Sequence, residues 1–302
     1  MDAARLHLVD GTYELFRAHY AKRPDHHDPS GADRKATVGV VSSLLALLHD
    51  AEEAVTHIAV AFDNPIRSFR NDLFDGYKSD EGVPPELRAQ FDSVEEAVRA
   101  IGVTVWSMRE HEADDGLATG ARLFAERVGQ VRILTPDKDL GQCLRGDHVV
   151  RVDRRQKKLT DEATFRAVRG FAPTSIPDFL ALTGDAADGI PGLTGFGEKS
   201  AAALLGAYPH LEDIPDNPGT WTVRPRRADE LGATLAAHRE EAGLYRRLAT
   251  LVDTVPLTES LDDLRFGGVP RATFEAWCDR LGTNTLRTAP RRWADAADPR
   301  PG

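Results

Sequence analysis

The stretch Leu6-His7-Leu8-Val9-Asp10-Gly11 joins a short apolar run to an acid and a turn-forming glycine. This order predicts a buried strand that ends at Asp10. The same pattern recurs twice, and the later copies end in Asp63 and Asp137. Helical patterns lie between the copies. Strands that alternate with helices predict an α/β fold with a mostly parallel central sheet flanked by helices.

Ligands of open parallel sheets bind beyond the carboxyl ends of the strands. Three strand-end acids therefore predict carboxylates that face one crevice. Any one of them alone is more often a turn former or a helix cap, and it is their coincidence that favours a shared site. Carboxylates at this density repel one another unless protons or cations intervene, and oxygen ligands without His or Cys favour Mg²⁺ or Mn²⁺.

The stretch His111-Glu112-Ala113-Asp114-Asp115-Gly116 places three more acids at the predicted start of an amphipathic helix. The helix dipole alone favours negative charge there, so an acidic helix start is the alternative interpretation. The recurrence of acids elsewhere in the chain favours delivery of these carboxylates to the same crevice.

Two basic segments are candidates for contact with nucleic acid. Arg67 to Arg109 is a long connection that mixes basic and aromatic residues, which predicts a lid or substrate clamp, with a solvated helical pair as the alternative. Residues 145–169 form the strongest basic patch, and a charged hairpin on a solvated face is equally compatible with them. The basic residues of this patch are Arg151, Arg154, Arg155, Lys157 and Lys158.

A glycine hairpin follows a helix that ends in Asp185 and Asp188. Gly195 and Gly197 permit a tight turn before a helix that starts near Lys199, and backbone amides at such a helix start can hold a phosphate. This composition predicts a helix-hairpin-helix that binds duplex without reading its sequence. Covering helices are predicted at 229–251 and 270–281.

The composition of the 302 residues sets further bounds. The chain has no apolar run long enough for a membrane span and no signal peptide, so we expect a cytoplasmic protein. Its two cysteines lie far apart, which argues against structural zinc and against a disulfide framework. The net charge of −10 is unusual for a protein that grips phosphates, but an acidic metal site would itself contribute to that charge.

From Leu6 to Leu281 the sequence resembles the bacterial 5′→3′ exonuclease family, the flap-endonuclease-like nucleases that also form the N-terminal domain of DNA polymerase I. Six motifs in order carry the resemblance: Leu8-Val9-Asp10-Gly11, Ala61-Phe62-Asp63, Phe69-Arg70 with Tyr77-Lys78, Glu112-Ala113-Asp114-Asp115, Asp137-Lys138-Asp139-Leu140, and Leu182-Thr183-Gly184-Asp185 through Asp188 to Lys199. The absence of a polymerase-length extension predicts a stand-alone form. The resemblance implies a PIN-like catalytic core over 1–175 with a helical arch at about 67–110, a helix-hairpin-helix subdomain over 176–289, and a location in the bacterial nucleoid. The tail over 290–302 is rich in Pro, Arg, Ala and Asp, which predicts disorder.

The resemblance also implies roles for individual residues. Asp10, Asp63, Glu112 and Asp114 would gather around one Mg²⁺ or Mn²⁺, and Asp137, Asp139 and Asp185 around a second, with Asp115 and Asp188 in support. Arg70 and Lys78 would act as catalytic residues on the scissile phosphate. Gly195, Gly197 and Lys199 would bind the duplex, and the hairpin would also hold K⁺.

The implied function is a structure-specific 5′-3′ exonuclease or flap endonuclease. It would be a monomer that hydrolyses DNA or RNA-primer phosphodiesters by two-metal-ion catalysis in replication and repair. The alternatives are a catalytically weak nucleic-acid-binding homologue, a PIN-type ribonuclease, and a phosphatase of small phosphoesters. Two positions depart from the family pattern: Ser79-Asp80-Glu81 replaces a segment that usually ends in Arg, and Asp188-Gly189 replaces Asp-Asn.

Overall fold

The computed structural model describes residues 4–294, whose contacts divide into two compact units. The first runs from the N-terminus to Ile66, over Asp80–Leu134 and from Asp253 onward; the second is Arg67–Ser79 with Thr135–Val252. The strands are β1 Arg5–Asp10, β2 His57–Asp63, β3 Thr104–Met108, β4 Gln130–Leu134, β5 Val149–Asp153 and β6 Lys158–Thr160. The helices are α1 Gly11–Tyr20, α2 Lys35–Leu48, α3 Arg70–Leu73, α4 Pro85–Arg88, α5 Phe91–Ala100, α6 Ala113–Phe124, α7 Glu162–Arg169, α8 Ile176–Thr183, α9 Glu198–Ala207, α10 Ala228–Ala237, α11 Arg239–Ala249 and α12 Arg271–Leu281.

A parallel sheet forms the centre of the first unit. Its strand order is β3-β2-β1-β4, and every neighbouring pair is parallel. The strands β1 and β2 are buried almost throughout, which is why both are apolar runs rather than alternating patterns. Helices α1 and α5 pack against β2, and α6 packs against all four strands. The α/β fold with a mostly parallel sheet flanked by helices is therefore confirmed.

Helices dominate the second unit. Its buried core is built largely from the apolar faces of α8, α9, α10 and α11, and α8 packs closely against α11. Strands β5 and β6 pair antiparallel, so the basic patch includes a charged hairpin, as one of the two interpretations predicted. Among the helices of residues 4–294, none combines the length and the apolar character that crossing a bilayer needs.

Three predicted elements differ in the structure. The helix predicted over 229–251 is two helices, α10 and α11, with the break at His238. The segment predicted as an arch, 67–110, includes α5 and the strand β3, so most of its second half belongs to the body of the first unit. Trp293, within the predicted disordered tail, forms a bridge with Val269 of the first unit, and residues 295–302 of that tail lie outside the described residues.

Candidate metal-binding active site

Asp10 and Asp63 lie at the ends of adjacent parallel strands in the first unit. In the register of β1 and β2, Asp10 is level with Ala61, so Asp63 lies two residues further toward the carboxyl edge. Asp10 is 7% exposed, and its Oδ1 accepts a hydrogen bond of 2.8 Å from the backbone N–H of Tyr13. Asp10 thus combines the strand-end position with the helix-cap role that the sequence offered as its alternative.

The start of α6 lies at the same edge of the sheet. The Oδ1 atom of Asp63 accepts a hydrogen bond of 2.7 Å from the backbone N–H of Ala113, which ties the end of β2 to the first turn of α6. Glu112 is the N-cap residue, and Asp115 Oδ2 accepts its backbone N–H at 3.0 Å in a capping box. Asp115 is completely buried, whereas Asp114 is half-buried. Asp115 therefore stabilises the helix start, and its expected support of a metal ion stays a prediction.

Four acids form a second group, in the second unit, which we call the Asp139 cluster: Asp137, Asp139, Asp185 and Asp188. Backbone amides orient them. Asp137 Oδ1 accepts the N–H of Asp139 at 2.8 Å, and Asp185 Oδ1 accepts the N–H of Ala187 at 2.7 Å. Asp137 lies in the loop after β4 rather than at the end of the strand itself, because β4 ends three residues earlier at Leu134.

The acids of this cluster are close enough to perturb one another. Burial, and then the negative charges of Asp137, Asp185 and Asp188, raise the pKa of Asp139 to about 8, while Lys78 opposes the shift. A carboxyl group with this pKa holds a proton at neutral pH, because each neighbouring carboxylate disfavours its ionised form. The cluster therefore has the electrostatic character of a site that needs a cation or a proton.

Lys78 is held beside this cluster by three contacts. Its Nζ lies 2.9 Å from Asp188 Oδ1, its backbone N–H donates to the Asp188 carbonyl at 3.0 Å, and its carbonyl accepts from Asn71 Nδ2 at 2.8 Å. Gly189 lets the two segments approach, because a Cβ there would lie 2.0 Å from the Gly76 carbonyl oxygen. Asn71 is a positioning residue that the sequence reasoning missed, and its signal was only an Asn within a short polar turn.

Arg70 is buried in the structure, whereas the sequence predicted that it would act on the scissile phosphate. Its side chain is 1% exposed, and its Nε and Nη2 donate to the carbonyls of Leu248 and Thr250 at 2.8 and 2.9 Å. A guanidinium committed to protein carbonyls favours a positioning role over direct contact with a DNA phosphate. The pattern Phe69-Arg70 could not show this, because Leu248 is 178 residues away in sequence.

At Ser79-Asp80-Glu81 the sequence departs from the family pattern, and Asp80 forms a local ion pair in the first unit. Arg88 Nη1 lies 3.0 Å from Asp80 Oδ2, and Arg88 Nη2 donates to the Asp80 carbonyl at 2.8 Å. Both side chains are about half exposed, so the pair adds little stability. Its main effect is to neutralise the positive charge of Arg88, which lies in the segment predicted to be a lid or substrate clamp.

The glycine hairpin is built as the sequence predicted. Gly195 has a φ of +91°, and Gly197 is the N-cap of α9, one residue before the helix begins. Phe196 is buried between them, whereas Lys199 is exposed in the first turn. One detail differs: the N–H of Gly197 donates to Ser200 Oγ at 3.1 Å, so this amide is already used within the turn.

The basic hairpin of β5 and β6 is only partly solvated. Arg151 is half-buried, and its Nη1 donates to the carbonyls of Pro136 and Asp137. Burial lowers the pKa of Arg151, and the nearby acids Asp137, Asp153 and Asp139 oppose this effect. At the tip, Arg154 is half-buried, whereas Arg155, Lys157 and Lys158 are exposed. Arg151 therefore connects the hairpin to the loop that carries Asp137.

The chemistry of both acidic groups suits hard divalent cations, because their donors are carboxylate oxygens. Their geometry is not closed around an ion: within residues 4–294, no three His, Cys, Asp or Glu side chains are arranged to hold a metal. Carboxylates without a bound cation repel one another, and ligation would have to draw them together. The joining of the two acidic groups in one two-metal site stays a prediction.

The chain combines a parallel sheet, acids that follow its strands, and a glycine hairpin before α9. These features define an α/β protein with several carboxylates at the carboxyl edge of its sheet. Two family matches make the assignment specific. The family described as 5′-3′ exonuclease, N-terminal resolvase-like domain, matches residues 5–170. The family described as 5′-3′ exonuclease, C-terminal SAM fold, matches residues 171–272. The chain belongs to the 5′-3′ exonuclease family.

Curated relatives agree with this assignment. The DNA polymerase I of Bacillus caldotenax is 34% identical over 284 residues, which cover 92% of this chain and 31% of the relative. The DNA polymerase I of Mycobacterium leprae is 34% identical over 288 residues, covering 93% of this chain and 31% of the relative. The chain thus spans about a third of the length of these polymerases.

Solved structures share the fold at low sequence identity. A T5 5′-exonuclease with bound divalent zinc ions has a TM-score of 0.65 and 18% identity, and the match covers 92% of this chain and 98% of that chain. The catalytic core of Rad2 in complex with DNA substrate has a TM-score of 0.56 and 15% identity, covering 95% of this chain and 91% of that chain.

Proposed function

We propose that this protein is a divalent-metal-dependent, structure-specific 5′-3′ exonuclease and 5′-flap endonuclease that acts in DNA replication and repair. The observation that carries the proposal is the Asp139 cluster with Lys78 beside it, in a chain of the 5′-3′ exonuclease family. Similar proteins support it, since a T5 flap endonuclease has been solved with DNA and metal ions. DNA flaps and RNA primers are the proposed substrates, and the active form is a monomer.

The two acidic groups would hold the metal ions. Asp10, Asp63, Glu112 and Asp114 would bind one Mg²⁺ or Mn²⁺, and Asp137, Asp139 and Asp185 a second, with Asp188 in support. Bound ions of this kind lower the pKa of a water and stabilise the oxygens of a phosphodiester under in-line attack.

Residues of the chain would orient the substrate around that chemistry. Lys78 would exchange its partner Asp188 for the scissile phosphate and place a positive charge where negative charge develops. Arg70 would act by holding α3 to the end of α11, which keeps Lys78 in position through Asn71. Gly195, Gly197 and Lys199 would hold the duplex, and the hairpin carbonyls would bind K⁺.

Cleavage of labelled 5′-flap, nick and gap duplexes tests the proposal. We expect cleavage with Mg²⁺ or Mn²⁺ and none in EDTA. Asp137→Ala should abolish it, and Lys78→Met should slow single-turnover cleavage by about 10²-fold. Asp161→Asn is the matched control, because Asp161 only caps α7 and Asn can do the same.

The outcomes separate the alternatives. Duplex binding without cleavage in either metal would reject the nuclease in favour of a nucleic-acid-binding homologue. A preference for single-stranded RNA over branched DNA would indicate a PIN-type ribonuclease. Rapid turnover of p-nitrophenyl phosphate would indicate a phosphatase of small phosphoesters.

A further inference from the structure

The second unit contains a cavity most of whose lining residues have no proposed role. It has a volume of about 530 Å³ and lies among β6, α7, α8 and the glycine hairpin. This volume falls in the range of sites for small molecules, roughly 300–1,000 Å³. We call it the α7–α8 cavity. Asp139 and Asp185 of the acidic cluster line it, so it adjoins the proposed metal site.

The lining of the α7–α8 cavity carries more basic than acidic side chains. Four basic side chains line the cavity, against three acids, Asp139, Asp185 and Glu198. Thr160, Thr164 and Thr183 add hydroxyl groups. The site therefore offers several donors to an anion. The four basic residues are Lys138, Arg151, Lys158 and Arg169.

The lining of the cavity also includes three aromatic side chains, and the Arg169 guanidinium lies over one of their rings. Phe165, Phe179 and Phe196 line the cavity, and all three are at most 8% exposed. The Arg169 guanidinium carbon lies 4.6 Å from the centroid of the Phe179 ring, so the ring orients this side chain. Val168 is 73% exposed and also lines the cavity. An Arg held in this way can stack on a planar group.

We propose that the α7–α8 cavity binds one nucleoside 5′-monophosphate. Its base would stack on Arg169 beside Phe179, and its phosphate would contact Lys138 and Lys158. The proposal rests on the proposed function, because a 5′-mononucleotide is what an exonuclease releases when it cuts one residue at a time. The site would retain the excised nucleotide beside the metal centre and slow the next cycle as product accumulates.

Calorimetric titration with deoxyadenosine 5′-monophosphate tests the proposal, in EDTA and again in Mg²⁺. Inorganic phosphate and deoxyadenosine serve as the separate halves of the ligand. Because the lining offers both basic and aromatic side chains, we expect the mononucleotide to bind at least about tenfold more tightly than either half. Equal affinity for the mononucleotide and phosphate, or no binding in both buffers, would overturn the proposal.

Paired variants locate the binding. Arg169→Gln removes the stacking guanidinium, and Arg166→Gln on the same helix is its matched control, because Arg166 pairs with Glu162 outside the cavity. Val168→Glu adds a repelling charge at an exposed wall position, and Ala167→Glu is its control. We expect each cavity variant to weaken mononucleotide binding by about tenfold or more and the controls to leave it unchanged.

Equal weakening by a cavity variant and its control would overturn the assignment to this cavity. These binding measurements need no cleavage, so they separate the two proposals. Mononucleotide binding in a protein that fails to cut flaps would reject the nuclease while the cavity assignment stands. Flap cleavage without mononucleotide binding would reject the cavity assignment while the nuclease proposal stands. Melting temperatures of the variants identify any that fail to fold.

Discussion

Metal binding to the Asp139 cluster should release a proton at neutral pH. Burial and the neighbouring carboxylates raise the pKa of Asp139 to about 8, so Asp139 is mostly protonated at pH 7 and mostly ionised at pH 9 in the metal-free protein. A divalent cation bound by the cluster favours the ionised form and expels this proton. We therefore expect release of most of about one proton on metal binding at pH 7 and of much less at pH 9.

Calorimetric titration with Mn²⁺ in two buffers of different ionisation enthalpy measures this release. Asp139→Asn removes the titrating group, so the difference between the buffers should nearly vanish at pH 7. Asp161→Asn is the control, because the backbone hydrogen bond from Thr164 lowers the pKa of Asp161 and leaves no proton to release. Metal binding without proton release at pH 7, or release that persists in Asp139→Asn, would refute the reasoning.

The raised pKa of Asp139 also makes the stability of the metal-free protein depend on pH. The folded-state pKa of Asp139 is raised, so the folded protein binds more protons than the unfolded chain between pH 3.8 and about 8. The contribution of Asp139 to the stability of the metal-free protein is therefore fully present below pH 3.8 and is lost as the pH rises through about 8. Bound metal should remove this dependence.

Three substitutions test other features. Glu81→Arg should add one phosphate contact, so the plot of log DNA affinity against log salt concentration should steepen by about one unit of slope. Glu126→Arg is an exposed control. An equal change in slope there would contradict the assignment of residues near Glu81 to the DNA contact. Gly189→Ala should cost about 2 kcal/mol or more in urea unfolding, because its φ is +74° and its Cβ would meet the Gly76 oxygen. Gly82→Ala, with a φ of +86° and no atom within 4 Å, should cost less, and equal losses would count against the contact. Arg70→Lys should lower the free energy of unfolding by about 2 kcal/mol, whereas unchanged stability with slower cleavage would restore the direct phosphate role.

Local patterns were enough to predict the parallel strands and the acids that follow them. The runs that end in Asp10 and Asp63 are buried strands of one sheet, and Gly197 lies one residue before a helix, as predicted. These features depend on neighbours within a few residues, because strand burial and turn formation are short-range properties. The edge strand β3 escaped notice, since only two of its five residues are buried.

The roles of individual basic side chains were beyond the sequence. Arg70 and Lys78 belong to one motif, yet Arg70 is buried against Leu248 while Lys78 pairs with Asp188. The sequence reasoning gave both residues the same task. Nothing within the motif distinguishes them, because their partners come from segments more than a hundred residues away.

The sequence by itself determined that this is an α/β protein with acids at strand ends and a glycine hairpin before a helix, because periodicity and turn chemistry are local properties of the sequence. Only the tertiary structure decided which carboxyl group retains a proton, which Arg is buried, and where a cavity opens among β6, α7 and α8. The physical reason is that burial and charge proximity depend on distances between residues remote in the chain, and the fold alone sets those distances.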